Sequence, residues 1–235
     1  MGTIVNAISI VVGSLIGFFL KKGIDEKYQS GINMALGLSV VIIGVNGIIT
    51  NCITVESNNL VSHYELLIVI SLIVGVYIGE RLSLQDKLNG MSENIEKKFN
   101  LSGFARSFVN GTIIYCVGAM AIIGALNDGL LHDPSVLYIK SILDGITSII
   151  LSATMGIGVV FSAIPVLIYQ GSITLLANNL QSVLQGELLN QICAIGYILV
   201  LCIGLNFMKI TKIKTANFLP SLLIPVLWYC INLFI

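Results

Sequence analysis

The hydrophobic positions of this chain run on in long blocks, and only short polar stretches separate them. A block of about 20 apolar residues coiled as a helix matches a bilayer core about 30 Å thick. The blocks predict eight membrane-spanning helices, over residues 3–20, 31–50, 65–80, 108–126, 137–154, 157–177, 188–207 and 216–234. The expected fold class is an all-α polytopic membrane protein, with 1–235 a single integral membrane domain.

Composition points the same way, with 56% hydrophobic and 10% charged residues and a mean hydropathy of +0.95. The first apolar run has no basic residue before it and no small-residue cleavage site, and Lys21 and Lys22 follow it, so it reads as a spanning helix and not a secretory signal. Asn6 stands where a myristoylation motif needs Ser or Thr. Net charge is zero and no basic stripe gathers, so no nucleic-acid partner is implied.

The fifth and sixth helices share one apolar run, and Thr154-Met155-Gly156-Ile157-Gly158 is the glycine-dense point at which a tight hairpin would divide it. Charge tests that division. With eight crossings, all of the 12 basic residues except Lys140 fall on one side, while Glu56, Glu65, Asp128, Asp133 and Glu187 fall on the other. A single crossing at 137–177 would move Lys209, Lys212 and Lys214 to the acidic face, against the positive-inside rule. Both termini are therefore expected to be extracytoplasmic.

The blocks group as a first three-helix unit (1–80), a cytoplasmic linker (81–106), a second three-helix unit (107–178) and a C-terminal helix pair (188–235). In the linker Leu84, Leu88, Met91, Ile95 and Phe99 recur at helical spacing, one face of an amphipathic helix that either joins two halves or docks a cytoplasmic partner. Gly2-Thr3-Ile4 is echoed by Gly111-Thr112-Ile113 at the start of the two units. Because each has an odd number of helices, they would form an inverted repeat of the kind that places transporter sites near the midplane.

Chemistry concentrates on the fifth helix. Lys140 and Asp144 stand one turn apart in an otherwise nearly uncharged stretch, and an ionisable residue at such depth marks a functional site by default. Lys140, Ser141, Asp144, Thr147, Ser148, Ser152 and Thr154 share one side, opposite Ile139, Ile142, Ile146, Ile149 and Ile150. At about 1.5 Å per residue Lys140 lies about 6 Å deep and can snorkel, whereas Asp144 lies about 12 Å deep. Asn33, Gly37, Gly44 and Gly47 line up on the second helix and would let its backbone approach that polar face.

Asn6, Asn46, Asn110, Gln170 and Asn206 are further polar groups in spans, each read alone as an interhelical hydrogen bond. Pro165 would kink the sixth helix and free a carbonyl, and Pro220 and Pro225 suggest an irregular start and a kink in the last. Gly13-xxx-Gly17 and Gly75-xxx-Gly79 permit close packing by the first and third helices.

No hydrolase, metalloprotease, P-loop or dinucleotide signature occurs, so neither enzymatic activity nor a cofactor is expected. His63 and His132 fall in loops. The five cysteines have neither CxxC nor CxxH spacing, which supports no metal site and no disulfide framework.

Several short motifs together carry a resemblance over nearly the whole chain. They are Met1-Gly2-Thr3 with Asn6 and Gly13-Ser14-xx-Gly17, Cys116-Val117-Gly118-x-Met120 to Gly124 with Asp128-Gly129, Lys140-Ser141-xx-Asp144-Gly145, Gly156-Ile157-Gly158, and Pro165 to Gly171 with Tyr169-Gln170. In this combination the chain resembles the bacterial membrane family called domain of unknown function 554, the YdfK/YqgA type. Ala119 stands where that pattern would place proline. The resemblance implies a bacterial plasma-membrane location and a transporter, without substrate or catalytic residues.

The expected function is a membrane transporter or channel for a small solute or ion. Asp144 would be the cation or proton site, Lys140 its modulator, and Thr147, Ser148, Gln170, Asn6 and Asn33 the pathway. The alternative is a non-transporting scaffold or sensor built on the linker. Partners are the lipid bilayer, the solute or ion, and a second copy of the chain if it forms a homo-oligomer.

Overall fold

The computed structural model describes residues 1–21, 26–56, 59–87, 90, 103–117, 119–180 and 186–234. Its helices are α1 (Gly2–Lys21), α2 (Glu26–Cys52), α3 (Glu65–Arg81), α4 (Phe104–Cys116), α5 (Ala119–Leu130), α6 (Ser135–Met155), α7 (Gly158–Phe161), α8 (Ala163–Leu175), α9 (Ala177–Leu180), α10 (Gly186–Phe207) and α11 (Ile224–Phe234), with a 3₁₀ helix at Thr215–Leu223. Among the described residues, Gly2–Leu20, Ser135–Met155, Gly158–Leu175 and Gly186–Phe207 are long and apolar enough to cross a membrane, and α4 with α5 makes a further bent candidate. The molecule is an all-α membrane protein. A small hairpin interrupts the helices: β1 (Ile53–Glu56) pairs antiparallel with β2 (Asn59–Ser62), where the sequence pattern suggested only a loop.

The apolar runs are interrupted at several points, each for a local reason. The run at 108–126 divides into α4 and α5, inclined by 61°, because Val117 adopts extended backbone (φ −79°, ψ 139°). The chain bends here without the proline of the family pattern. The apolar run from 136 to 177 turns at Gly156, whose φ of 102° and ψ of −174° fall in a region essentially confined to glycine. Pro165 stands three residues after Ser162, where the helix is interrupted between α7 and α8. It occupies the first turn of α8, where its missing N–H would have had no intrahelical partner. In the last span, Pro220 lies inside the 3₁₀ segment and Pro225 in the first turn of α11, the irregular start the prolines suggested. The linker expected at 81–106 lies mostly outside the described residues.

The chain divides into two compact units, residues 1–36 with 88–183 and residues 37–87 with 184–235. In the first unit α1 lies along α6. Gly2 faces Leu137, Gly13 faces Gly145 and Ser148, and Gly17 faces Ile149, so the two helices run parallel. A Cβ at Gly13 would come within 2.2 Å of the Gly145 carbonyl oxygen, so this contact admits no side chain. Ile4, Ile8, Ile139, Ile142 and Ile146 are exposed on the outer sides of these helices, as lipid-facing residues would be.

In the second unit α2 packs antiparallel on α10, with Gly37 against Met208, Gly44 against Leu201 and Gly47 against Tyr197. These glycines therefore accommodate α10 and not the polar face of α6 as expected, because they form the flat surface that the bulky Tyr197 ring needs. The Gly75-xxx-Gly79 pair receives the 3₁₀ helix at Ser221 and Asn217. Asn217 fastens that contact: its Nδ2 donates to Glu80 Oε1 at 2.7 Å and its Oδ1 accepts from the Gln85 backbone N–H at 2.8 Å.

Candidate functional site: a buried charge pair and an amide pair

The polar side of α6 faces inward in the first unit. Lys140, Ser141, Asp144, Ser148 and Ser152 are buried, while Ile139, Ile142, Ile146 and Ile150 are exposed. Lys140 does not snorkel. Its Nζ donates to both carboxylate oxygens of Asp144, at 2.9 and 2.8 Å, and the two residues are only 6% and 7% exposed. The i to i+4 spacing brings them onto one helix face, and a bidentate partner outweighs extension of the side chain toward water. Removing one member of such a pair costs about 3–5 kcal/mol, because the survivor is a charge left in a dry interior.

Around this pair, α1 and α8 contribute an amide each. Asn6 Nδ2 donates to Gln170 Oε1 at 3.2 Å, and the Asn6 amide lies beside Asp144. Both amides are fully buried. Among the described residues, Asn6 Oδ1 and Gln170 Nε2 find no hydrogen-bond partner. The amide pair beside the ion pair thus has one open acceptor and one open donor. A buried polar group without a partner costs about 1–3 kcal/mol, so two on neighbouring side chains point to something the site is built to receive.

On the side toward the α6 C-terminus, Ser148 is fully buried and donates to the Asp144 carbonyl at 2.6 Å. Its hydroxyl is also 2.7 Å from Tyr115 Oη. Tyr115 and Cys116 end α4 where the helix breaks, and both lie within electrostatic reach of the charge pair. A break of this kind leaves the last carbonyls of α4 and the first N–H groups of α5 without intrahelical partners. Discontinuous helices use such ends to meet charged groups inside a membrane.

Of the residues expected on a pathway, Asp144, Lys140, Ser148, Asn6 and Gln170 come together in the first unit. Thr147 does not join them, since it is half-buried and its hydroxyl donates to its own helix at Leu143 O. The Asn33 side chain lies outside the described residues. Asn206 belongs to the second unit, where it holds the turn after α10 through Thr211 and Ile213.

Two residues were missed. Tyr115 is the one hydroxyl-bearing aromatic of its apolar run, and a tyrosine in mid-span normally requires a partner, which was the available signal. Asp128 was read as an external loop residue. It is 7% exposed, and its Oδ2 accepts from the Gly2 backbone N–H and from the Met1 ammonium, each at 3.0 Å, so it caps α1 across helices. At the start of α6 the exposed Asp133 accepts from the Ser135 hydroxyl and backbone N–H, and these bonds hold its carboxyl below the usual carboxylate range.

These features define a helical membrane protein with a charged centre buried in one of its compact units. The family model for Protein of unknown function (DUF554) matches residues 1–230, and the chain belongs to that family. It is 36% identical over 224 residues to the Uncharacterized membrane protein YdfK of Bacillus subtilis (strain 168), covering 95% of this chain and 93% of the relative. It is 27% identical over 233 residues to the Uncharacterized protein YqgA of Escherichia coli (strain K12), covering 96% and 94%. No solved structure matches the chain.

Proposed function

We propose that this protein is a transporter or channel of the bacterial plasma membrane for a small solute or ion, with Asp144 and Lys140 at its centre. The observation that carries the reading is the buried ion pair adjoining two amides that still have an open donor and an open acceptor. A purely structural pair would be expected to have its surrounding polar groups satisfied. In the closed form Lys140 holds Asp144. Passage would require that bond to open, with Asp144 taking an incoming cation, proton or ammonium group while Lys140 remains near enough to set its charge state.

Eight crossings with both termini extracytoplasmic, arranged as inverted three-helix units, form part of the proposal. The parallel course of α1 and α6 supports it, because an odd number of crossings must then separate them. α2, α3 and the bent α4–α5 pair make three.

Accessibility at Ser148 tests this reading. Ser148→Cys in sealed membranes should be labelled by a small membrane-impermeant thiol reagent, slowly because the closed form buries the position. A packed structural core would leave it unlabelled until the protein is unfolded, and that result would refute a pathway.

A further inference from the structure

The open hydrogen-bonding positions and the two charges form a matched set. Asn6 Oδ1 can accept, Gln170 Nε2 can donate, Asp144 supplies a negative group and Lys140 a positive one. A lone cation bound at Asp144 would displace Lys140 and leave its ammonium buried and unpaired, and a lone anion bound at Lys140 would do the same to Asp144. A solute bearing both an ammonium and a carboxylate exchanges one ion pair for two and leaves no charge alone. The same two groups fill the open positions, because an ammonium only donates and a carboxylate only accepts.

We infer that the site takes a small zwitterion of the α-amino acid class. Its ammonium binds Asp144 and Asn6 Oδ1, and its carboxylate binds Lys140 and Gln170 Nε2. The Lys140–Asp144 bond then serves as an internal stand-in for the solute, keeping both charges paired in the absence of ligand. This inference deepens the transport reading and rests on the same site.

The experiment measures binding and flux separately on the full chain. Binding of glycine, L-serine, methylammonium and acetate is followed by calorimetry and thermal stabilisation in detergent at constant ionic strength. Glycine and serine should bind, while methylammonium and acetate, each carrying half of the zwitterion, should bind at least about tenfold more weakly. Gln170→Met and Asn6→Leu should each weaken glycine binding about tenfold or more. The ligand series on the unaltered protein decides the matter if either variant fails to fold. Equal binding of methylammonium and glycine would overturn the inference in favour of a cation site, and no binding of glycine or serine would also overturn it.

Proteoliposome flux distinguishes this failure from that of the transport reading. Asp144-dependent movement of protons or sodium without glycine binding would remove the zwitterion and keep transport. Glycine binding without any flux would keep the zwitterion site and remove transport.

Discussion

Replacing Lys140 by methionine should destabilise the protein severely, and the reason lies in what remains. The substitution removes both bonds to Asp144, of 2.9 and 2.8 Å, and leaves a carboxylate that is 7% exposed without its cationic partner. Loss of one partner from a buried pair costs about 3–5 kcal/mol. Asp144→Leu should cost a similar amount by leaving the ammonium. The double variant, Lys140→Met with Asp144→Leu, has no charge to desolvate and should recover most of the loss, since apolar replacement of a whole buried pair is commonly neutral or stabilising. The assay is unfolding by titration of SDS into the detergent-solubilised protein, followed by helix content. The expected order is wild type and double variant close together, with both single variants far below. Single variants close to wild type would show that the pair is hydrated in solution, and a double variant below both singles would show that the charges are not compensating one another. Either result refutes the reasoning.

Other outcomes follow from the packing. Gly13→Ala and Gly17→Ala should each destabilise by about 1–3 kcal/mol, as overpacking does, because the added Cβ would lie 2.2 and 2.1 Å from backbone carbonyl oxygens of α6. Gly171→Ala meets nothing within 4 Å and should be neutral or slightly stabilising in the same titration. Asn217→Ala removes the bonds to Glu80 and Gln85 and should cost about 1–3 kcal/mol, read as an earlier unfolding midpoint of the second unit. The carboxyl of Asp133 is held below its usual range by Ser135, so its contribution to stability is present above the ordinary carboxylate range and is lost as pH falls through its lowered value. Asp133→Asn should therefore remove part of the acid-side fall in stability, measured as melting temperature against pH, and an unchanged acid limb would contradict this.

Much of this architecture was legible from hydrophobic blocks alone. The ends of α1, α6 and α10 lie close to the predicted limits because continuous apolar runs bounded by polar residues admit little else. The polar stripe of α6 could also be read, because helical periodicity places Lys140, Asp144 and Ser148 on one side whatever packs there. What could not be read was which helices meet. Glycine rows identify a smooth surface but not its partner, so Gly37, Gly44 and Gly47 were assigned to the wrong neighbour. Composition also conceals broken helices, since the α4–α5 division leaves the apolar run intact and turns on the backbone of Val117. The Lys140 side chain did not extend to the interface as its depth would allow, because a bidentate bond one turn away was stronger than the pull of the interface. Tyr115 and Asp128 act across helices, and such partners appear only once the chain has folded.

In the proposed transport cycle the Lys140–Asp144 pair opens as solute passes. The most direct test is proteoliposome uptake of glycine, and in parallel of protons and sodium, by the wild type and by the Lys140→Met, Asp144→Leu double variant, chosen because it should retain the fold. Uptake is expected from the wild type and none from the double variant. Uptake at equal rates by a charge-free centre would contradict the proposed cycle.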